Sequence, residues 1–193
     1  MDNPYLSNAA EYLIDSVFTL YVLMVLLRFM LQLARADFYN PVCQFLVKAT
    51  NPPLRPLRRV IPGLWGIDLA SVLLLVVLEM LGLWLTNVAS GHAVMAGGLF
   101  VLSVAELLQL TLNTLLIAIL LQVVLSWINP GAYNPLTSIL YSLSEPLLRP
   151  ARRLLPPISG LDFSPIVVLF LIQLTKILLI APLRDIGLRL TYS

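Results

Sequence analysis

The sequence predicts an all-α membrane protein with four transmembrane helices in two parallel helix-loop-helix repeats. Each repeat carries a cytoplasmic amphipathic segment, re-entrant or interfacial. Three observations predict this fold. The chain is 59% hydrophobic and 11% charged, whereas a soluble domain carries about 25% charged residues and needs them to face water. Four apolar runs approach or exceed the ~20 residues needed to cross a bilayer as helix. The stretch Tyr39 to Asp68 returns as Tyr133 to Asp162, shifted by 94 positions without a gap, which marks an internal duplication.

The repeated residues are specific. Tyr39, Asn40 and Pro41 return as Tyr133, Asn134 and Pro135. Pro52, Leu54, Arg55, Pro56, Arg58, Arg59 and Pro62 return as Pro146, Leu148, Arg149, Pro150, Arg152, Arg153 and Pro156. Gly66 and Asp68 return as Gly160 and Asp162. The first repeat then covers 10–89, with spans at about 10–34 and 69–89. A connector, 90–103, leads to the second repeat, 104–183, with spans at about 104–128 and 163–183.

A polar lead precedes the first span, and its acids are unlike the positive n-region of a signal peptide, so the span is expected to stay in the mature chain. Asp15 and Arg28 lie toward opposite ends of it, where Arg28 can snorkel to the interface. Asn40-Pro41 is a helix start, with Asn as cap and Pro at the first position, where no N–H is needed. Thr50-Asn51-Pro52 reads as a second start. Arg55, Arg58 and Arg59 then fall at i, i+3 and i+4 on one helical face, opposite Leu54, Leu57 and Ile61. A short segment of this kind suits the headgroup plane. Asp68 caps the second span, in which Glu79 lies ~15 Å deep, near the bilayer centre.

The glycine-bearing connector reads either as an interfacial turn or as an extension of the next helix. In the third span Gln122 and Gln109 occupy the positions of Arg28 and Asp15, and Trp127 suits an interfacial anchor. The second copy repeats the arginine face with Arg149, Arg152 and Arg153. Asn134-Pro135 starts its amphipathic segment and Asp162 caps the fourth span. There Gln173 matches Glu79, and Lys176 lies a turn further on.

The loops between spans one and two and between spans three and four carry most of the arginines, while the connector carries neither Lys nor Arg. By the positive-inside rule both repeated loops are cytoplasmic and both termini periplasmic. Arg184 and Arg189 dissent mildly. With two spans per copy, the repeats enter the membrane in the same sense.

These residues resemble the YggT family of bacterial membrane proteins, over nearly the whole chain and as two tandem copies. The resemblance rests on Asn40-Pro41, Pro52 through Pro62 and Gly66 through Asp68, with their second copies. The first copy departs from the second at Asn51 against Glu145 and at Ala70-Ser71 against Ser164-Pro165. The acidic residue in Ser144-Glu145-Pro146 is the frequent form in the family, so the first copy is the less typical. The resemblance implies a small inner-membrane protein. Plastid and cyanobacterial relatives are linked to cytochrome b6 maturation, and others to cell division, nucleoid distribution or osmotic tolerance.

The arginine faces are the strongest local signal. Their plainest role is to set topology and bind anionic headgroups, at about 1 kcal/mol each. The sharper role is a docking surface for a membrane-protein partner or a second copy, since Arg suits bidentate binding of carboxylate or phosphate. Three arginines per copy without aromatic platforms make nucleic acid a poor partner. Within the spans, Glu79 and Lys176 differ in depth by only ~4.5 Å and come within reach of an ion pair. Gln173 and Gln122 can hydrogen-bond between helices.

Cys43 reads as a small buried apolar residue, and His92 stands alone without a metal-ligand set. No cofactor or catalytic constellation is expected. The expected function is therefore non-enzymatic, as a scaffold or an assembly and maturation factor for membrane protein complexes. The alternative is a channel or ion-transport component, for which Glu79, Gln173, Lys176, Asp15 and Gln109 would have to form the polar path.

Overall fold

The computed structural model describes residues 4–64, 66–128, 131, 134–155 and 162–192. Among these residues every regular element is a helix. Pro156 and Gly160 of the second repeated stretch, and its Tyr133, lie outside the described residues.

Helix α1 runs Pro4–Leu33. It ends in a Schellman turn: Ala36 N–H bonds the Leu31 carbonyl at 2.9 Å and Arg35 that of Gln32 at 3.1 Å. Arg35 takes φ 53° at the left-handed position, where glycine is usual. Ala36 and Leu31 are both buried, the apolar contact that accompanies this turn. Helix α2, Pro41–Val60, opens on the Asn40 cap, whose side chain accepts from Val42 N.

This helix continues through Thr50-Asn51-Pro52, where the sequence reading placed a second start. Pro52, Pro53 and Pro56 lie inside it, and in isolation each would cost ~3 kcal/mol through a lost donor and a ring clash. Pro53 leaves the Ala49 carbonyl without its helical partner, and Tyr21 Oη of α1 donates to that carbonyl at 3.4 Å. Arg28 of α1 donates to the Val47 carbonyl at 3.4 Å and to Thr50 Oγ1 at 2.7 Å. The row Cys43, Leu46, Thr50 and Leu54 is buried. Packing and donors from α1 thus override the local helix-breaking signal.

Helix α3, Leu69–Ala89, is capped by Asp68, which accepts from Ser71 N. The connector contributes its second half to α4, Ala96–Ile128. Gly91, at φ 74°, makes the turn between these helices. Helix α5, Pro135–Leu154, opens on a capping box between Asn134 and Thr137 and contains Pro146 and Pro150.

The fourth span, Ser164–Thr191, is three elements in register: α6 at Ser164–Thr175, a π-helical turn at Lys176–Ile180, and α7 at Ala181–Thr191. The wide turn precedes Pro182, which has no N–H for the Leu178 carbonyl; Ala181 N bonds back to Lys176 O instead. Residues 184–191, beyond the expected end of the fourth span, are thus the last part of the same helix.

Four helices are long and apolar enough to cross a membrane. Their outward faces carry Val77, Leu81, Phe100, Ile117, Leu120 and Phe170, all exposed. Such a continuous apolar exterior is suited to lipid. Helix α1 packs on α3, α3 on α4, and α4 on both α5 and α7. The larger core, around Val25, Leu31, Leu54 and Leu74, joins α1, α2 and α3 to α5. A smaller one joins Ile119, Leu148, Val168 and Ile172 of the second repeat.

Candidate functional site

Two arrangements gather polar side chains: the paired proline-rich helices, and a cavity between the spans. Helices α2 and α5 meet at their starts, where Asn40 Nδ2 donates to the Pro135 carbonyl at 2.6 Å. Asn40 therefore caps its own helix and ties the two repeats together.

The structure divides the six arginines. Arg58 donates from Nε to Asp68 Oδ2 at 3.1 Å and pairs with the same oxygen through Nη2. It also reaches Gln32 Oε1 at 3.4 Å. Asp68 is buried and accepts from Ser71 Oγ at 2.5 Å. Burial pushes its carboxyl up, but the Arg58 and Ser71 hydrogen bonds outweigh burial and hold it below the usual carboxylate value.

In the second repeat Arg152 joins Asp162 and Glu145, each at 2.8 Å. Arg149 reaches Glu145 at 3.4 Å. Burial lowers the Arg152 pKa, and the bonds to Asp162 and Glu145 more than restore it, leaving it raised. Burial likewise pushes Asp162 up, and the Arg152 and Ser164 bonds bring it below its ordinary value. The cap position of α6 is Phe163, one residue past the expected Asp162. Pro165 stands where Ser71 does in the first copy and has no N–H to give, so Asp162 accepts from Ser164 N at 2.9 Å instead.

Arg58 and Arg152 are thus clamps that tie the far ends of α2 and α5 to the start of the following span. Arg55, Arg59 and Arg153 are exposed, and no ion pair is formed by them among the described residues. Beside them stand Val60 and Leu154, equivalent residues 81% and 82% exposed. Each repeat therefore presents the same combination, an apolar knob flanked by guanidinium groups.

The second arrangement is a cavity of about 270 Å³. Asp15 and Thr19 of α1 line it with Glu79 of α3, and Glu106, Gln109 and Asn113 of α4 with Arg184 of α7. Glu106 pairs with Arg184 at 2.8 Å. Lys176 donates to Asn113 Oδ1 at 2.7 Å and forms no ion pair with Glu79, because α4 packs against both α3 and the π-helical turn and supplies the nearer partner. The π-helical turn begins at Lys176, and its closest polar partner is on α4. Sequence reading missed Glu106, Asn113 and Arg184. The signal was present: Glu106, Gln109 and Asn113 stand at i, i+3 and i+7, a polar stripe along an apolar helix.

Arg28 does not snorkel outward. It is 4% exposed, because the Val47 carbonyl and Thr50 hydroxyl of α2 lie within its reach. Gln122, its counterpart, lines a smaller cavity of about 160 Å³ with Thr137 and Tyr141; its Oε1 is buried without a partner among the described residues. Gln173 faces outward and does not join the cavity.

A family profile described as CCB3/YggT matches residues 7–89 and again residues 101–183. The uncharacterized protein PA0392 of Pseudomonas aeruginosa is 45% identical over 179 residues, covering 91% of this chain and 90% of that protein. An uncharacterized protein in the proC 3′ region of Vibrio alginolyticus is 40% identical, over 89% of this chain and 94% of its own length. The uncharacterized protein YggT of Escherichia coli K12 is 39% identical, over 86% of each chain. No solved structure matches. With four apolar helices long enough to span, and two matches that each take in two of them, the chain is a multi-pass membrane protein and belongs to the CCB3/YggT family.

Proposed function

We propose that the protein is a non-catalytic scaffold of the bacterial inner membrane that docks membrane-protein partners through the paired faces of α2 and α5. One observation carries this reading. The Arg58–Asp68 and Arg152–Asp162 clamps fix the far ends of both helices, and the Asn40–Pro135 bond fixes their starts relative to one another. Arg55, Arg59, Arg149 and Arg153 then stand on held helices beside Val60 and Leu154. Topology alone needs positive charge but no fixed shape. The fitting partner is a membrane protein with an acidic segment at the cytoplasmic face. By the family resemblance, complexes of cytochrome maturation or of the cell envelope and division are the candidates.

The positive-inside rule places both repeated loops in the cytoplasm and both termini in the periplasm. The dissenting Arg184 is paired with Glu106, which weakens its weight as a topology signal. The test is crosslinking in intact membranes. Reversal of Arg55, Arg59, Arg149 and Arg153 to Glu, with the clamp arginines untouched, is expected to cut partner capture about tenfold or more, a loss of ~1.4 kcal/mol, while insertion is unchanged. Unchanged capture overturns the reading. So does a variant that loses only co-purifying anionic lipid.

The cavity favours a second reading, a channel or ion-transport component. It brings together Asp15, Glu79 and Gln109, three of the residues a polar path requires. The purified protein in liposomes is then expected to pass protons or monovalent cations, and Glu79→Gln to slow proton flux about 100-fold or more, the size typical when one positioned proton-transfer group is removed. Absence of flux from the wild-type protein, with or without a proton gradient, removes this reading.

A further inference from the structure

We propose that the outward face of α6 is an interface with a second copy of this chain, centred on a reciprocal Gln173–Gln173 hydrogen-bonded pair. Gln173 lies nine residues into the fourth span, which starts at Ser164. That is ~13.5 Å along a helix, close to the middle of a ~30 Å hydrocarbon core. Its side chain is exposed, and it makes no hydrogen bond among the described residues. Ile166 and Phe170, at i−7 and i−3, share its face and are 64% and 63% exposed.

An amide has no water at this depth, and leaving it unpaired in hydrocarbon is costly. The carboxamide of Asn87 in α3 does use a carbonyl of its own helix, Leu83 O at 2.7 Å, whereas the Gln173 side chain makes no such bond among the described residues. The internal duplication adds a second observation. Glu79 holds the equivalent position in the first repeat, and residues of the second repeat stand over it: Glu106, Gln109 and Asn113 line the same cavity. Gln173 has no such cover.

The chemistry of the group selects the occupant. A carboxamide carries both a donor and an acceptor, so two identical copies related by a twofold axis along the membrane normal can exchange two N–H···O bonds. A two-fold interface requires such self-complementarity, because the same patch meets itself. A carboxylate at this position, as at Glu79, would meet its own charge. Polar side chains of this kind join helices within membranes, and Ile166 and Phe170 would pack on either side of the axis. This interface does not depend on the docking face of α2 and α5.

Two measurements test the proposal on the full chain in liposomes. Cys43 is the single cysteine and is buried, so Cys43→Ser provides a background in which Phe170→Cys is expected to form a symmetric disulfide dimer on oxidation. Energy transfer between donor- and acceptor-labelled copies, followed as lipid is added, is expected to show dimers. Gln173→Leu is expected to weaken association about tenfold, ~1.4 kcal/mol, and Gln173→Asn to retain most of it. A wild-type chain that stays monomeric at every dilution overturns the proposal. So does equal association of the Leu variant, or failure of Phe170→Cys to crosslink while the protein remains inserted.

Discussion

Gly98→Leu is expected to push α7 away from α4 and cause the largest stability loss of any single substitution considered. A Cβ at Gly98 would meet the backbone N and Cα of Thr191 and the carbonyl carbon of Leu190. Backbone atoms in a packed helix cannot yield as a flexible side chain does. At the next turns Gly187 stands against Leu102, with a Cβ only 2.9 Å from its N and 3.0 Å from its Cα. The two glycines therefore let α4 and α7 approach backbone to backbone, the use of small residues common at membrane helix interfaces.

Overpacking typically costs about 1–3 kcal/mol, and contact against backbone on this scale belongs at or above the upper end. Gly97 supplies the control, since nothing stands within 4 Å of its Cβ position. Gly97→Ala is expected to be neutral or to stabilise by up to ~1 kcal/mol through helix propensity. Thermal unfolding in detergent, with the variants side by side, decides the matter. Equal melting of Gly97→Ala and Gly98→Ala would show that the close approach is absent. Because α7 carries Arg184, the Gly98 variant should also lose the Glu106–Arg184 pair that lines the cavity.

The second large effect is expected at Asp68, and it should be unequal between the repeats. Asp68→Ala removes the α3 cap, worth ~1 kcal/mol, and the charge-assisted bonds to Arg58, worth about 1.5–3 kcal/mol. A loss of about 2–4 kcal/mol follows, since the Asp68 side chain is only 7% exposed. Asp162 is 38% exposed and its partner Arg152 keeps Glu145. Asp162→Ala should therefore cost ~1 kcal/mol or less, as exposed pairs do.

The pH dependence has the same origin. Both carboxyls are held below their ordinary value in the folded chain, so an unfolded chain binds protons first as the pH falls. Their contribution is complete above the unfolded value of ~3.9 and is lost as the pH drops through the lower folded values. Unfolding of the wild-type chain should steepen below about pH 4, and Asp68→Asn should remove more of that acid dependence than Asp162→Asn. Equal effects of the two would contradict the difference in burial.

Much of the architecture was legible without coordinates. Apolar length, the 94-position repeat and the Asn-Pro helix starts are local signals, and each depends on residues a few positions apart. Lipid as solvent makes the first of them strong, because a spanning segment must be nearly all apolar and must satisfy its own backbone. Those signals determined the helical membrane class, the four spans and the two-copy organisation.

Other features depend on atoms far apart in the chain, and only the tertiary structure decided them. Helix α2 runs on past its prolines while packed on α1, where Tyr21 donates to the Ala49 carbonyl that Pro53 leaves free and Arg28 donates to Val47 O and Thr50. No propensity for residues 50–53 contains that information. Six arginines with one spacing separate into clamps and exposed groups because Asp68, Asp162 and Glu145 come within reach of some of them. Lys176 meets Asn113, 63 positions away, and not Glu79. In each case a polar group taken from water must find a partner, and which partner it finds is fixed by how helices distant in sequence pack together.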